Sequence, residues 1–233
     1  MQAITLTLTM GRRPELLKRT LSSLFNRVEL KNVIAINDFR DEATNDMFQT
    51  LCPWGQLISP GQQLGHHRAV DLMYTRVRTP YILHCEDDWL FDDKLNLHKA
   101  VDLLNFDPQI SQVCLRKIAD FNLPEEDQKL IISQSVKGHQ YFRLDAIHPQ
   151  WHGYTFNPHI AKLEQWRDHG GFARFKKERH VSRHLRAQGR FTAYINPGCC
   201  DHIGELQSVS PSAANPTGLR WARKKIKSFF NFR

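Results

Sequence analysis

The chain has 233 residues, of which 41% are hydrophobic and 24% charged, with Lys+Arg 32 against Asp+Glu 24 and a formal charge of +8. That composition excludes disorder over most of the chain, and the length supports a core that needs no disulfides. No apolar run approaches the roughly 20 residues of a membrane helix.

Residues 3–10 alternate apolar Ile4, Leu6 and Leu8 with Thr5, Thr7 and Thr9, a period of two that predicts a strand. The chain thus enters a strand at once, without the charged start and small-residue cleavage site of a signal peptide. Pro14 opens a helix, where its missing N–H costs nothing, and Leu17, Leu21, Leu24 and Phe25 give that helix a buried face. Val33–Ile36 is a short apolar run that stops at Asn37-Asp38, the pattern of a strand covered on both faces. A helix over about 42–51, a short strand at Leu57-Ile58 and a helix over about 64–77 follow. Tyr81–Cys85 is a further strand that runs directly into Glu86-Asp87-Asp88-Trp89, and a helix covers about 93–105.

Strands alternating with helices predict an α/β fold with a mostly parallel sheet and right-handed crossovers. Ligands collect beyond the carboxyl ends of such strands. Three polar clusters fall there, namely 9–13, Asn37-Asp38 and 86–88, and the topology brings them to one rim. Beyond residue 106 the pattern loosens. Strands are expected at 110–115 and 129–135, a polar loop at 120–128, an irregular aromatic segment at 151–158, helices at 159–168 and 178–188, and a last strand at 192–195 before Cys199-Cys200-Asp201-His202.

Residues 208–217 read as a linker rich in Ser, Pro, Ala and Asn. Residues 218–233 carry Arg220, Arg223, Lys224, Lys225, Lys227 and Arg233 and no acid, a charge of +6 that leaves +2 for everything before it. Leu219, Ala222, Ile226, Phe229 and Phe230 share one face of that tail. A basic amphipathic helix with aromatics suits an anionic membrane surface; a helix docked on the body and a disordered basic end are the other readings. The five cysteines, an odd number without framework spacing, indicate a reducing compartment, hence the cytoplasm with peripheral membrane contact through the tail.

Three consecutive acids at a strand end repel one another and raise one another's pKa values unless a cation joins them. Carboxylate oxygens suit Mg2+ or Mn2+, whose shells are commonly completed by ligand phosphates. Positions i and i+2 of a strand face the same way, so Glu86 and Asp88 are expected to share a face and Asp87 to point elsewhere. The competing reading is a solvated acidic turn. Cys199-Cys200-Asp201-His202 lacks the paired spacing of structural zinc.

The order of these features resembles the nucleotide-sugar half of a GT-A glycosyltransferase, most similar to the family 2-like enzymes. It comprises a Thr-ended first strand, Arg13-Pro14-Glu15-Leu16-Leu17, Asn37-Asp38, Gly65-His66-His67-Arg68-Ala69, and 79–89 ending in Glu86-Asp87-Asp88-Trp89. The resemblance covers residues 3–105 well and 150–204 more weakly. It implies a catalytic domain over 1–207, with a nucleotide-sugar half over 1–105 and an acceptor half over 106–207. It implies an enzyme that moves a sugar from a nucleotide-diphosphate donor to a hydroxyl of a glycan or lipid-linked acceptor, with inversion. A UDP-sugar is the usual donor, with GDP- and dTDP-sugars as alternatives, and Mn2+ or Mg2+ the cofactor.

Carried over by position, Glu86 and Asp88 match the outer acids of the metal-binding D-x-D motif, the Glu being a departure. His202 matches the His that completes the metal shell. Asp38 matches the acid that contacts the base, Thr9 and Arg12 border that base, and Arg68 lies near the sugar-nucleotide. Asp87 and Trp89 fall on the donor side, although Trp89 suits the core equally well. Glu178, at the start of a helix, matches the catalytic base that takes the acceptor's proton; a simple helix-start acid is its bland reading, and Asp168 and Asp120 are the fallbacks. Trp151, His152, Tyr154 and Asn157 suit an acceptor platform and suit a packed loop as well.

Two other functions are testable against the same residues. A nucleotidyltransferase needs a Gly-rich basic loop after the first strand, and Met10-Gly11-Arg12-Arg13 has one glycine. A basic binding module needs a positive stripe across the fold, which a body charge of +2 and an acidic rim argue against, so nucleic acid is not an expected partner.

Overall fold

A computed structural model describes residues 3–204. The expected linker and basic tail lie outside the described residues. The first half follows the predicted alternation: β1 (Ile4–Met10), α1 (Pro14–Phe25), β2 (Asn32–Asn37), α2 (Glu42–Leu51), β3 (Gln56–Ile58), α3 (His66–Tyr74), β4 (Tyr81–Glu86), β5 (Trp89–Phe91) and α4 (Leu97–Phe106). After β6 (Ile110–Cys114) come a 3-10 turn at Ile118–Phe121, the single turn α5 (Glu125–Gln128), the hairpin β7 (Ile132–Val136) and β8 (His139–Arg143), then β9 (His159–Lys162), α6 (Leu163–Asp168), α7 (Glu178–Ala187), β10 (Phe191–Ile195) and β11 (Cys200–His202).

Nine strands form one sheet in the order β3-β2-β1-β4-β9-β6-β10-β8-β7. Seven run in one direction, and β9 and β8 run against them. β11 and β5 pair in a separate small ribbon. The expected helix at 159–168 is therefore corrected in its first half. Residues 159–162 are the strand β9, which pairs with β4 on one side and β6 on the other. Those neighbours are remote in sequence, so their hydrogen bonds overrode a local pattern that reads as helix. The loop at 120–128 contains α5 and part of the 3-10 turn, where three acids at the start of α5 favour the turn through the helix dipole.

Both faces of the sheet are covered. In β2, Val33 and Ala35 enter the core with α1 and α2, whereas Ile34 and Ile36 enter a second core with Met73, Tyr74, Tyr154, Phe156 and Leu185. In β4, Leu83 and Cys85 belong to the first core and Ile82 to the second. Strand alternation then puts Glu86 on the face of Ile82, toward the aromatic segment and α7. Thr9 of β1 lies opposite both Ile36 and Glu86, so the carboxyl ends of three central strands are level and the three polar clusters meet at one rim.

Asp71 of α3 ties the second core together. Its carboxylate accepts from Trp166 Nε1 at 2.7 Å, Phe172 N at 2.8 Å and Ala173 N at 2.7 Å. Removing it strands three donors in or beside the core, so Asp71→Ala is expected to cost about 2–3 kcal/mol. The check is a urea midpoint with an unchanged slope; a shift within the error of the extrapolation would show that water replaces the carboxylate without loss.

Candidate active site

β4 ends at Glu86, and residues 87–88 form a turn. That ending rearranges the acids relative to the sequence expectation. Asp87 and Asp88 do not diverge; both turn to Arg13, in the loop between β1 and α1. Arg13 Nη1 donates to Asp88 Oδ2 at 2.6 Å, and Nη2 pairs with Asp87 Oδ1. Gly11 N donates to Asp87 Oδ2 at 2.9 Å. Gly11 is needed there because a Cβ would fall 2.2 Å from the Phe39 ring. Asp87 is 0% exposed, so it braces the first loop against β4 and has no surface left for a donor. Burial raises the Asp87 carboxyl to about 6, against the opposing pull of Arg13 and Gly11.

Asp88 also meets His202 of β11, with Nε2 3.1 Å from Oδ2. Desolvation works against its charge, but the hydrogen bonds and charges of His202 and Arg13 win and hold its carboxyl below the usual value. Its second oxygen, Oδ1, is buried with no hydrogen-bond partner. A buried, ionised carboxylate with an open oxygen beside an imidazole suits a hard or borderline divalent cation. Among the described residues no group of three His, Cys, Asp or Glu side chains is gathered to hold a metal by itself. Asp88 and His202 fit as two protein donors of a shell that ligand phosphates and water complete.

Glu86 sits between two carboxylates. Burial pushes its carboxyl well above the ordinary value, and Asp88, Glu178 and Asp87 push in the same direction against Arg13. Glu178, 92 positions further along the sequence, thus belongs to the same electrostatic site. It opens α7, and burial raises its carboxyl to about 7, opposed by hydrogen bonds from the Thr155 hydroxyl and the Phe156 amide. Thr155 is the supporting residue that sequence reasoning missed. The segment 151–158 reaches α7 because Gly153 allows it: Gly153 N donates to Ser182 Oγ at 2.8 Å, and a Cβ there would fall 2.3 Å from Ser182 O.

The other expected donor residues separate. Asp38 is 8% exposed and accepts from Leu64 N at 2.7 Å and Gly65 N at 2.8 Å, so it shapes the loop before α3. Thr9 stays half-buried at the rim. Arg12 is exposed with a φ of 61°; its amide donates to Asp41 Oδ2 at 2.7 Å, and its guanidinium lies 5.0 Å from the Phe39 ring centroid. Arg68 is exposed in the first turn of α3. Trp89 is 1% exposed within the first core, which decides its two readings for the core. Its ring lies under Arg116, whose guanidinium carbon is 5.4 Å from the indole centroid and 4.2 Å from that of Phe121.

Of the acceptor residues, Trp151 is exposed at 38% and Asn157 half-buried, whereas Tyr154 is a core residue at 5%. His152 bonds Tyr194 Oη through Nδ1 at 2.7 Å, and burial lowers it to about 4. Of the fallback bases, Asp168 is exposed at the end of α6. Asp120 accepts from Arg116 Nε at 2.5 Å and from His202 N at 3.3 Å. Arg13 is the principal residue that sequence reasoning passed over; the acids it meets are 74 and 75 positions away, and the local Glu15 gives no sign of them.

No protein-family model and no curated protein matches the chain by sequence. Solved structures do match it in shape. A mannosyltransferase, PcManGT from Pyrobaculum calidifontis in complex with GDP-Man and Mn2+, superposes with a TM-score of 0.66 at 14% identity, covering 88% of this chain and 58% of that one. GalNAc-T7 with UDP, GalNAc and Mn2+ gives 0.61 at 12%, covering 95% and 47%. Residues 1–349 of S. aureus TarS give 0.58 at 10%, covering 87% and 61%. The chain spans about half to three-fifths of the length of these neighbours. With its crossovers, its level carboxyl rim and these superpositions, the chain has the GT-A fold.

Proposed function

We propose that the protein is a metal-dependent glycosyltransferase that moves a sugar from a nucleoside-diphosphate donor to a hydroxyl of a glycan or lipid-linked acceptor, with inversion. Asp88 carries this reading: at the carboxyl rim of a GT-A fold it is joined to His202 across 114 positions and keeps one buried oxygen without a partner. Asp88 and His202 would hold Mn2+ or Mg2+, with Glu86 beside them. The ion's contribution is to neutralise the charge that develops on the departing diphosphate. Arg13 keeps Asp88 ionised and fixed in place. Glu178 takes the proton from the acceptor hydroxyl as that oxygen bonds to the anomeric carbon and the sugar–phosphate bond breaks. A carboxyl near 7 is matched to that task at neutral pH.

A UDP-sugar is the proposed donor, with GDP- and dTDP-sugars as the alternatives. Thr9, Arg12 and Arg68 are the proposed donor contacts, and Trp151 and Asn157 the proposed acceptor contacts. The five free thiols fit a reducing compartment, and the proposed location is the cytoplasm, with the basic tail on the inner membrane face.

The test is calorimetric titration of UDP and GDP in Mn2+ and in EDTA. At least one nucleotide should bind about tenfold or more tightly with the metal, a difference of about 1.4 kcal/mol. Equal affinities of both nucleotides in both buffers would sink the reading.

A further inference from the structure

The near-neutral body conceals a strong separation of charge. Residues 174–190 contain Arg174, Lys176, Lys177, Arg179, Arg183, Arg186 and Arg190 against the single acid Glu178, a net +6. That leaves the rest of the body negative. The cations lie on and around α7, which buries Val181, Ser182 and Leu185 and turns its other face outward. Lys176, Lys177, Arg179 and Arg183 are exposed. Among the described residues none of these four makes an ion pair with a carboxylate.

This arrangement is unfavourable on its own. Arg179 and Arg183 are four apart on one helix, where like charges repel. Lys176, Lys177 and Arg179 crowd the positive end of the helix dipole, the end that favours anions. His180 registers the crowding: desolvation, then the charges of Arg179, Arg183, Lys177 and Lys176, push its imidazole below the usual value. An anion would relieve every one of these repulsions.

The surface is also shaped to receive one. Pro149, His180, Arg183, His184, Arg186 and Ala187 line an open groove of about 730 Å3. Arg186 donates to the carbonyls of His148 and Trp151 and so fixes the wall of the groove. The groove starts on the same helix as Glu178. At a rise of ~1.5 Å per residue, Arg183 lies ~7.5 Å along the axis from Glu178 and, at ~3.6 residues per turn, on another side of the helix. α7 presents no large exposed hydrophobic side chain; beside it only Trp151 is exposed. A membrane-binding helix would need an apolar face to insert.

We propose that the exposed face of α7, with Arg179 next to a groove that His180, Arg183 and His184 line, binds phosphate groups of the acceptor, which is therefore a phosphate-bearing glycan. The acceptor assignment rests on the transferase reading; the phosphate-binding face does not. Guanidinium forks match phosphate oxygens bidentately, and the helix dipole adds to the attraction at the Arg179 end alone.

The full chain is treated with phenylglyoxal, and modification is mapped by mass spectrometry with and without linear polyphosphate as the probe. Mapping by residue separates this face from the basic tail. Arg179 and Arg183 should be protected, and the double variant Arg179→Ser/Arg183→Ser should bind polyphosphate roughly tenfold or more weakly while binding UDP with Mn2+ as before. Unchanged reactivity of both arginines with polyphosphate present overturns the proposal. So does protection given by phosphatidylglycerol vesicles and not by polyphosphate, which would assign the face to a lipid surface. Protection of the arginines in a protein that fails to bind UDP or GDP with Mn2+ would remove the acceptor assignment and leave the phosphate-binding face.

Discussion

Asp88→Asn is expected to erase the metal-dependent part of nucleotide affinity and to lower sugar transfer by about 10^3-fold, the scale on which loss of electrostatic stabilisation of a developing anion is felt. The amide keeps the volume of the carboxylate and one oxygen for Arg13, so the turn at 87–88 has a partner for the guanidinium that now donates at 2.6 Å. What it removes is the negative charge between Arg13 and His202. Asp88→Ala goes further and leaves Arg13 with Asp87 alone among these two acids, costing about 2 kcal/mol of stability beyond the loss of activity. The two variants together separate charge from structure. If Asn preserved the gain in UDP or GDP affinity on adding Mn2+, Asp88 would not be a metal donor, whatever happened to turnover.

The contrast between Asp88 and Asp87 shows where sequence reasoning stops. The three acids are legible, as is their place at a strand end, because Tyr81–Cys85 is apolar but for His84 and Asp-Asp cannot continue it. The facing of the side chains was not legible. The rule that i and i+2 share a face assumes that the strand persists through Asp88, whereas β4 ends at Glu86. What bends the chain is Arg13, about 75 positions away, whose two nitrogens need two carboxylates. The same limit applies to β9. His159–Lys162 has no local signal that distinguishes strand from helix, and its conformation is set by the gap between β4 and β6.

Aromatic residues near a motif were ambiguous for a related reason. Trp89 and Tyr154 have the chemistry of sugar platforms, and only burial, 1% and 5% exposed, assigns them to cores. Trp151, in the same short segment as Tyr154, remains at the surface. Charge misleads at the level of sums: a body charge of +2 argues against a positive stripe across the fold and says nothing of a local basic surface. Folding gathers the seven cations of residues 174–190 on and around one helix. The sum was right, yet the surface it described is strongly polar in the electrical sense.

Glu178→Gln should have two opposite effects, and their pairing makes the test discriminating. As the proposed base, Glu178 supplies a proton acceptor that glutamine lacks, so transfer should fall by roughly 10^2–10^4-fold while donor binding is retained. The wild-type rate should rise with pH and level off above about 7, where the carboxyl has lost its proton. The stability effect follows from the same shift. Burial raises the folded-state value from 4.5 to about 7, so the folded protein holds this proton more tightly than the unfolded chain. The resulting stabilisation is complete below 4.5 and is lost as the pH rises through about 7. Glutamine never ionises and never incurs that loss. Glu178→Gln should therefore match the wild type at pH 4 and exceed it by up to about 3 kcal/mol at pH 8, read from urea midpoints at the two pH values. A bland helix-start acid predicts the reverse, because replacing it would forfeit a favourable interaction with the helix dipole at pH 8. A variant that transfers sugar at the wild-type rate would return the base role to Asp120 or Asp168. Of these, Asp120 is already held by Arg116 and the His202 amide, and Asp168 stands exposed at the end of α6.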